Sequence, residues 1–181
     1  MTKRPWRVEF FAAFASIIES SSSSDSSRVL ELGSGPAFLA EHLLRSNSQL
    51  SYVALDFSAA MHELARLRLG AMAERVVFIE RSFREPTWFN GLGQFDFVVT
   101  NQAVHELRHK QYAPALHRQV KSVLAPGGSY LVCDHIVGDG GMSNDQLYMT
   151  VDEQKQALLA AGFCRVDQVL LKGGLVLHCA T

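Results

Sequence analysis

The chain has 181 residues, of which 48% are apolar and 19% are charged, and its formal net charge is −1. This balance predicts one globular domain with a hydrophobic core, excludes wholesale disorder, and provides no global attraction for nucleic acid. No apolar run reaches the roughly 18 residues of a membrane-spanning helix. The three cysteines, Cys133, Cys164 and Cys179, are widely separated. They favour reduced core residues of a cytoplasmic protein over a disulfide or zinc framework.

The first segment, residues 1–19, has the pattern of an amphipathic helix. Its large apolar side chains recur at helical spacing: Trp6, Phe10, Phe14 and Ile17. Its basic start and apolar middle also fit a secretory signal, and that alternative stays open, although Glu9 borders the apolar stretch. The polar segment 20–27 predicts a flexible serine-rich linker to a domain over residues 28–181.

After this segment, short apolar runs alternate with helix-length segments. Strands are predicted at residues 28–32, 51–56, 75–80, 94–100, 129–135, 164–171 and 175–180. Helices are predicted at residues 38–46, 59–70, 111–124 and 151–162. Strands separated by helices predict β-α-β crossovers and a mostly parallel sheet that is covered on both faces. Only three residues join the last two strands, so those strands must form an antiparallel hairpin.

Local signals predict where two of the helices begin and end. Ser58 is placed to cap the helix that Gly70 ends. Thr150 and Glu153 have the spacing of a capping box at the start of the last helix, and Gly162 ends that helix.

A glycine turn follows the first strand, where residues 31–37 are ELGSGPA. Gly33 and Gly35 would let the backbone approach a ligand and turn tightly into a helix. The dinucleotide fingerprint needs a third glycine where this chain has Phe38, which disfavours pyrophosphate. Glu31 also disfavours a phosphate anion and suits a cationic ligand.

An acidic residue ends the second strand about twenty residues beyond these glycines. Asp56 holds the position from which an acid reaches ribose hydroxyls in nucleoside-binding α/β folds. Phe57 follows and could lie against a purine ring. The alternative role for Asp56 is that of a simple turn residue or helix cap.

Several segments together resemble the class I S-adenosylmethionine-dependent methyltransferases, over residues 28–181. The similar segments are ELGSGPA, ALDFSAAM, FDFVVTNQAVHEL, LAPGGSYLVCD and the C-terminal hairpin. The resemblance implies a Rossmann-like, doubly wound sheet of seven strands in the order 3-2-1-4-5-7-6. It also implies S-adenosyl-L-methionine as the cofactor and methyl transfer as the reaction. Ala37 stands where the family has its last motif glycine.

The resemblance assigns residues to the cofactor site. Gly33 and Gly35 would face the methionine part, Asp56 would bind the ribose hydroxyls, and Asn101 and Gln102 would lie near the sulfonium. Ser82 replaces an acid that often binds the adenine amino group in this family. The full predicted set is Glu31, Gly33, Ser34, Gly35, Asp56, Phe57, Ser82, Phe83, Asn101 and Gln102.

Polar residues after the fourth and fifth strands are candidates for substrate orientation or proton removal. They are His105, Glu106 and His135, at the edge of the sheet where such folds bind ligands. The alternative is that each is a satisfied polar residue beside a pocket. The family's Asn/Asp-Pro-Pro-aromatic motif is absent, since TNQAV stands in its place. The acceptor is therefore predicted to be a small molecule, with neither nucleic acid nor membrane as partner.

Residues 105–109, HELRH, also match the H-E-x-x-H pattern of zinc metalloproteases. A zinc hydrolase is therefore one alternative, although Pro114 follows closely and His117 has the wrong spacing for a third ligand. A cofactor-binding but catalytically silent relative, or a partner subunit, is another. A nicotinamide oxidoreductase is a third, against which Phe38 and the hairpin count. We predict no metal site.

Overall fold

A computed structural model describes residues 6–21 and 26–181. Its core is one seven-stranded sheet in the order β3-β2-β1-β4-β5-β7-β6, as predicted. The strands are β1 Arg28–Leu32, β2 Ser51–Asp56, β3 Val76–Glu80, β4 Phe95–Asn101, β5 Leu124–His135, β6 Val166–Lys172 and β7 Leu175–Ala180. The pairs from β3 to β5 are parallel, whereas β7 runs antiparallel to both β5 and β6. The α/β Rossmann-like fold and the antiparallel hairpin are confirmed.

In the described part of the chain, five α-helices cover the two faces of the sheet. They are α1 Arg7–Ser21, α2 Phe38–Ser46, α3 Ala59–Leu69, α4 Ala113–Val123 and α5 Val151–Ala160. Helices α1, α2 and α3 pack on one face, and α4 and α5 pack on the other. Strand β1 shows the alternation, because Val29 joins the first of these two cores and Leu30 joins the second. Burial on both sides explains the nearly continuous apolar runs of the central strands.

The N-terminal helix extends two residues into the segment for which the sequence predicts a linker, because α1 ends at Ser21. Residues 1–5 and 22–25 lie outside the described part of the chain, so the linker stays a prediction. The predicted Ile17 is partly buried against the core on the α1 face of the sheet, and the neighbouring Ile18 is almost fully buried in it. Phe10, Phe14 and Ile18 are spaced four apart and are almost fully buried, as expected for one helix face.

The segment before and within β5 differs most from the sequence prediction. Strand β5 begins at Leu124, whereas the sequence predicts a start at residue 129 and a turn over APGG. A bulge accommodates the extra residues, because Phe95 pairs with Leu124 and Phe97 pairs with Ser129. Gly128 lies within the bulge, where an added Cβ would come within about 3 Å of three backbone carbonyl oxygens.

The predicted helix ends are observed. The Ser58 side chain accepts a hydrogen bond from the Met61 amide, and Gly70 follows α3 with a positive φ. Thr150 and Glu153 form the reciprocal capping box. Helix α4 begins at Ala113, two residues later than predicted, because Lys110–Tyr112 form a 3₁₀ turn.

The fold brings the ends of β1, β2, β4 and β5 to one edge of the sheet. From β1 the chain passes to β2 and β3 on one side, and it then crosses back to β4 on the other side of β1, so the strand order reverses between β1 and β4 and leaves a crevice at this edge. Among the residues that the structure describes, no helix is both long and apolar enough to cross a membrane.

Candidate active site

Two adjoining cavities lie at the carboxyl edge of the sheet. The larger, about 460 Å³, is bordered by the ends of β2 and β3 and by the segment after β4. The smaller, about 210 Å³, lies between the glycine turn, the end of β4 and the start of α1. Gly33 and Gln102 border both, so the two cavities are neighbours at the ends of β1 and β4.

All ten residues predicted to bind the cofactor border one of these cavities. The larger cavity is bordered by Gly33, Asp56, Phe57, Ser82, Phe83 and Gln102. The smaller is bordered by Glu31, Gly33, Ser34, Gly35, Asn101 and Gln102. The fold therefore brings together residues that are up to 71 positions apart in the chain, counted from Glu31 to Gln102.

The glycine turn is shaped by contacts that only glycine permits. Gly33 has φ of 69°, and an added Cβ would lie 2.6 Å from the Cβ of Ala103. The amides of Gly33 and Ser34 both donate to the carbonyl of Leu55, at 2.8 and 3.1 Å. Ala37, in place of the family's last glycine, also has a left-handed backbone, with φ of 62°.

Asp56 joins the glycine turn to the start of α3. One carboxylate oxygen accepts a hydrogen bond from the Gly35 amide at 2.8 Å, and the other accepts from the Ser58 amide at 2.9 Å. Each oxygen keeps a further lone pair, so the carboxylate can still accept from ligand hydroxyls. Phe57 is 68% exposed beside it, which leaves an apolar ring available to a planar ligand.

Glu31 is a buried carboxyl group on the border of the smaller cavity. The Tyr52 hydroxyl donates to its Oε2 at 2.8 Å. Burial raises the pKa of Glu31 to about 8, the nearby charge of Asp56 raises it too, and the Tyr52 hydrogen bond partly opposes this. Near neutral pH the group is therefore largely protonated, and a cationic ligand would favour its ionised form.

The segment after β4 contains a histidine held by a buried aspartate. The Nδ1 of His105 lies 2.7 Å from Oδ1 of Asp134, and the His105 amide donates to Oδ2 at 2.9 Å. Because a carboxylate only accepts, Nδ1 carries the proton, and Nε2 lies 3.7 Å from Glu106 Oε1. Burial lowers the pKa of His105, but the hydrogen bond and charge of Asp134, with the charge of Glu106, outweigh burial and raise it.

The three predicted catalytic candidates do not share one cavity. Glu106 borders the larger cavity, whereas His105 and His135 border a void of about 10 Å³ behind it. Tyr148 completes a three-ring cluster, with centroids 5.4 Å from His105 and 5.9 Å from His135. Within this cluster, the Nε2 of His105 lies 3.7 Å from the Oε1 of Glu106, which itself borders the larger cavity.

The HELRH segment does not form the helix that a zinc protease requires. A 3₁₀ turn spans only Val104–Leu107, and Arg108 ends it with a left-handed backbone. His105 is bonded to Asp134, and His109 Nδ1 accepts from the Gln111 amide. Within residues 6–21 and 26–181, no three potential ligand side chains cluster as a metal site. The geometry therefore contradicts the zinc interpretation of this segment.

Comparison with known proteins identifies the family. A family model described as a methyltransferase domain matches residues 29–128, which is more than half of the chain. The chain belongs to this methyltransferase domain family. The methyltransferase family predicted from the sequence motifs is therefore confirmed.

A curated relative and several solved structures are similar to this family member. The malonyl-[acyl-carrier protein] O-methyltransferase of Geobacter sulfurreducens is 28% identical over 157 residues, covering 77% of this chain and 57% of the relative. A structure titled as a putative O-methyltransferase from Nostoc punctiforme has a TM-score of 0.78 at 19% identity, covering 97% of this chain and 56% of that one. The chain thus spans little more than half the length of these two proteins.

One structural neighbour is similar in size and was solved with a ligand. The glycopeptide N-methyltransferase MtfA complexed with S-adenosyl-L-methionine has a TM-score of 0.70 at 16% identity. The alignment covers 93% of this chain and 92% of that one. At this identity the neighbour supports the methyltransferase fold of the chain.

Several residues at the site were not predicted from the sequence. Asp134 ends the apolar run YLVC as Asp56 ends YVAL, so the same strand-end signal could have indicated it. Arg84 and Arg108 border the larger cavity from irregular segments that carry no such signal. Arg7 and Phe11 reach the smaller cavity only because α1 packs there.

Proposed function

We propose that this methyltransferase-family chain binds S-adenosyl-L-methionine and transfers its methyl group to a small-molecule acceptor. The observation that carries the proposal is the pair of neighbouring cavities at the carboxyl edge of the sheet. Asp56 and the exposed Phe57 border one, and the glycine turn and Glu31 border the other. A nucleoside joined to an amino acid needs this combination of neighbouring sites.

The residues at the two cavities fit the cofactor chemically. Gly33 and Gly35 border the smaller cavity without side chains, and the buried Ser34 hydroxyl lacks a hydrogen-bond partner among the described residues. Asp56 would hold the ribose hydroxyls, with Phe57, Ser82 and Phe83 around the adenine. Glu31, Ser34, Gly35, Asn101 and Gln102 would surround the amino-acid end.

Methyl transfer makes modest demands on the protein. S-adenosyl-L-methionine supplies an activated methyl group, so the chain mainly has to align the acceptor in line with it and exclude water. An acceptor hydroxyl also has to lose its proton. His105 is our candidate base, because Asp134 fixes its tautomer and leaves Nε2 facing Glu106. Glu106 and His135 would orient the acceptor beside it.

The acceptor class rests on the site and on the names of similar proteins. The similar proteins are named as oxygen, nitrogen and carbon methyltransferases, one of them for malonyl-[acyl-carrier protein]. The His105–Asp134 pair favours an oxygen acceptor that releases a proton on methylation. A cytoplasmic location, with neither nucleic acid nor membrane as partner, remains part of the proposal and is supported by three unpaired cysteines.

Calorimetric titration with S-adenosylmethionine, followed by a metabolite panel for methyl transfer, tests the proposal. We expect micromolar binding, and Asp56→Ala should weaken it at least about tenfold, since charged hydrogen bonds contribute roughly 1.5–3 kcal/mol each. The matched control is Asp152→Ala, which removes an exposed acid from α5. Binding of S-adenosylmethionine without methyl transfer to any panel member would favour a cofactor-binding relative that lacks catalytic activity. Absence of S-adenosylmethionine binding would overturn the proposal.

A further inference from the structure

A third cavity lies between helix α4 and the segment that follows β3. Its volume is about 360 Å³, and we call it the α4 hollow. Most of its border is apolar, and the apolar residues are Phe83, Pro86, Leu107, Tyr112, Ala115 and Leu116. Phe83 and Arg84 also border the larger cavity, so the two cavities are neighbours. The proposed function assigns no ligand to the α4 hollow.

Hydrogen bonds between α4 and residues 81–90 hold the walls of the hollow in place. Trp88 is fully buried, and its Nε1 donates to Oε1 of Gln119 on α4 at 2.9 Å. The Nε2 of Gln119 donates in turn to the Pro86 carbonyl at 3.3 Å. Arg81 closes the segment on itself, since its Nη1 donates to the carbonyls of Trp88 and Asn90 at 3.0 and 2.8 Å. The hollow is therefore preformed, and a ligand would bind without having to order its walls.

Arg84 gives the α4 hollow a positive charge. Among the described residues that border the hollow, Arg84 is the only one with a charged side chain. Its amide donates to the Ser82 hydroxyl at 3.3 Å, but its guanidinium makes no hydrogen bond or ion pair with a described residue. Arg81, by contrast, is bonded to two backbone carbonyls. The segment thus uses one arginine to hold its own shape and leaves the guanidinium of the other available to a ligand.

Tyr112 adds an exposed aromatic ring to the border of the hollow. The residue is 52% exposed, and it ends the 3₁₀ turn Lys110–Tyr112. Its ring centroid lies 6.1 Å from that of His109, in an edge-on arrangement. An aromatic ring offers a planar ligand an apolar face. Because Tyr112 and Arg84 border the same cavity from different segments, the hollow combines an aromatic surface with a cation.

We propose that the α4 hollow is a second ligand site, which binds a small aromatic carboxylate. The ring of the ligand packs among the apolar residues, and its carboxylate accepts two hydrogen bonds from Arg84. A guanidinium matches a carboxylate in both shape and charge. Mostly apolar walls with a few polar groups are typical of small-molecule sites. The site does not depend on methyl transfer, because the described residues that border it include none of His105, Glu106 and His135.

Titration calorimetry with two probes that share one ring system tests the role of the charge. The probes are 1-naphthoate and the uncharged 1-naphthamide. We expect the unsubstituted protein to bind 1-naphthoate with a Kd below about 1 mM, and 1-naphthamide at least about tenfold more weakly. Arg84→Met should remove most of this difference, because only the charged probe loses its hydrogen-bond partner. Arg84→Lys, which keeps the charge without the planar fork, should give an intermediate loss for 1-naphthoate.

Two further variants distinguish the α4 hollow from the larger cavity. Ala115→Phe adds a ring to the hollow from an exposed position on α4 and should weaken binding of 1-naphthoate at least about tenfold. Arg108→Met is the matched control, because Arg108 borders the larger cavity and not the hollow, and it should leave binding of both probes unchanged.

Three results would overturn the second site. They are a Kd for 1-naphthoate above about 1 mM, binding that is unaffected by Arg84→Met or by Ala115→Phe, and equal weakening by Arg84→Met and Arg108→Met. Titration of the unsubstituted protein with S-adenosylmethionine tests the proposed function separately. A protein that binds 1-naphthoate but no S-adenosylmethionine would keep the second site and lose the proposed function, so the two failures are distinguishable.

Discussion

Single contacts decide the shape of the cofactor turn. Gly33 combines a left-handed backbone with a close approach to Ala103. Gly35 has a similar backbone, but no atom of the described residues lies within 4 Å of a Cβ added there. The two positions therefore separate two contributions to the cost of adding a side chain. A substitution at Gly33 would cause both backbone strain and crowding, whereas a substitution at Gly35 would cause backbone strain alone.

We predict that Gly33→Ala lowers the free energy of unfolding by about 2–4 kcal/mol, from left-handed strain plus overpacking. Gly35→Ala is the control and should cost about 1–2 kcal/mol, from the backbone alone. Urea denaturation of Gly33→Ala with and without Ala103→Gly measures the crowding. If the two substitutions change the free energy of unfolding in a strictly additive way, the contact with Ala103 does not contribute to the cost of Gly33→Ala.

The pairing of His105 with Asp134 predicts the pH dependence of methyl transfer. Because the pKa of His105 is raised, its neutral base form appears only as the pH rises through that pKa, and the rate should rise with it. Asp134→Asn removes the charge, so the acidic limb of the rate profile should move to lower pH. The plateau should fall about 10²- to 10⁴-fold as the proton acceptor loses its orientation.

The rate profile also requires a control within the same segment. His109→Gln removes a histidine four residues away that is bonded to its own turn and should leave the acidic limb in place. A limb that stays fixed in Asp134→Asn, or moves to higher pH, would contradict the role of His105 as a base.

At the scale of elements, α4 and β5 enclose a histidine that stays uncharged. His117 on α4 is buried, with its ring centroid 5.5 Å from that of Tyr130 on β5. Burial and the neighbouring His178 lower the pKa of His117 to about 3. An unfolded chain with an ordinary histidine pKa of about 6.5 binds a proton first, so this element pair loses stability as the pH falls below that value.

We predict that His117→Phe makes the protein less sensitive to acid. Between about pH 6 and 4, each such histidine contributes a slope of up to roughly 1.4 kcal/mol per pH unit to the free energy of unfolding. Removing it should flatten the profile measured by urea denaturation across this range. His109→Phe, at the rim of the sheet, is the control. Parallel profiles for His117→Phe and the unsubstituted protein would contradict the prediction.

The elements also show why most of the fold could be predicted. Apolar runs bounded by turn residues, together with the Ser58 and Thr150 caps, indicate strands and helices through local chemistry alone. The start of β5 was missed because APGG has the composition of a turn, and only pairing with Phe95 extends the strand through it. The buried face of α1 is wider than predicted, because Phe11, Ala15 and Ile18 are buried in addition to Phe10 and Phe14.

For the molecule as a whole, the site divides into a part that sequence reveals and a part that only packing creates. Residues at the ends of β1, β2 and β4 could be predicted because parallel strands bring their carboxyl ends to one edge. The bond between His105 and Asp134 joins residues 29 positions apart, and its geometry depends on the register of β4 and β5. The place of Arg7 depends on how α1 docks against the hairpin, which no local pattern encodes.

The raised pKa of Glu31 has a consequence for the charge of the whole protein. The formal net charge of −1 counts every carboxyl group as ionised, so the chain is formally neutral when Glu31 holds its proton. Binding of a cationic ligand in the smaller cavity would release the Glu31 proton to the solvent. When the ligand dissociates, Glu31 would take up a proton again. Cofactor exchange would then be a proton exchange as well. The measured heat of binding near pH 7 should therefore depend on the ionisation enthalpy of the buffer, and Glu31→Gln should remove that dependence.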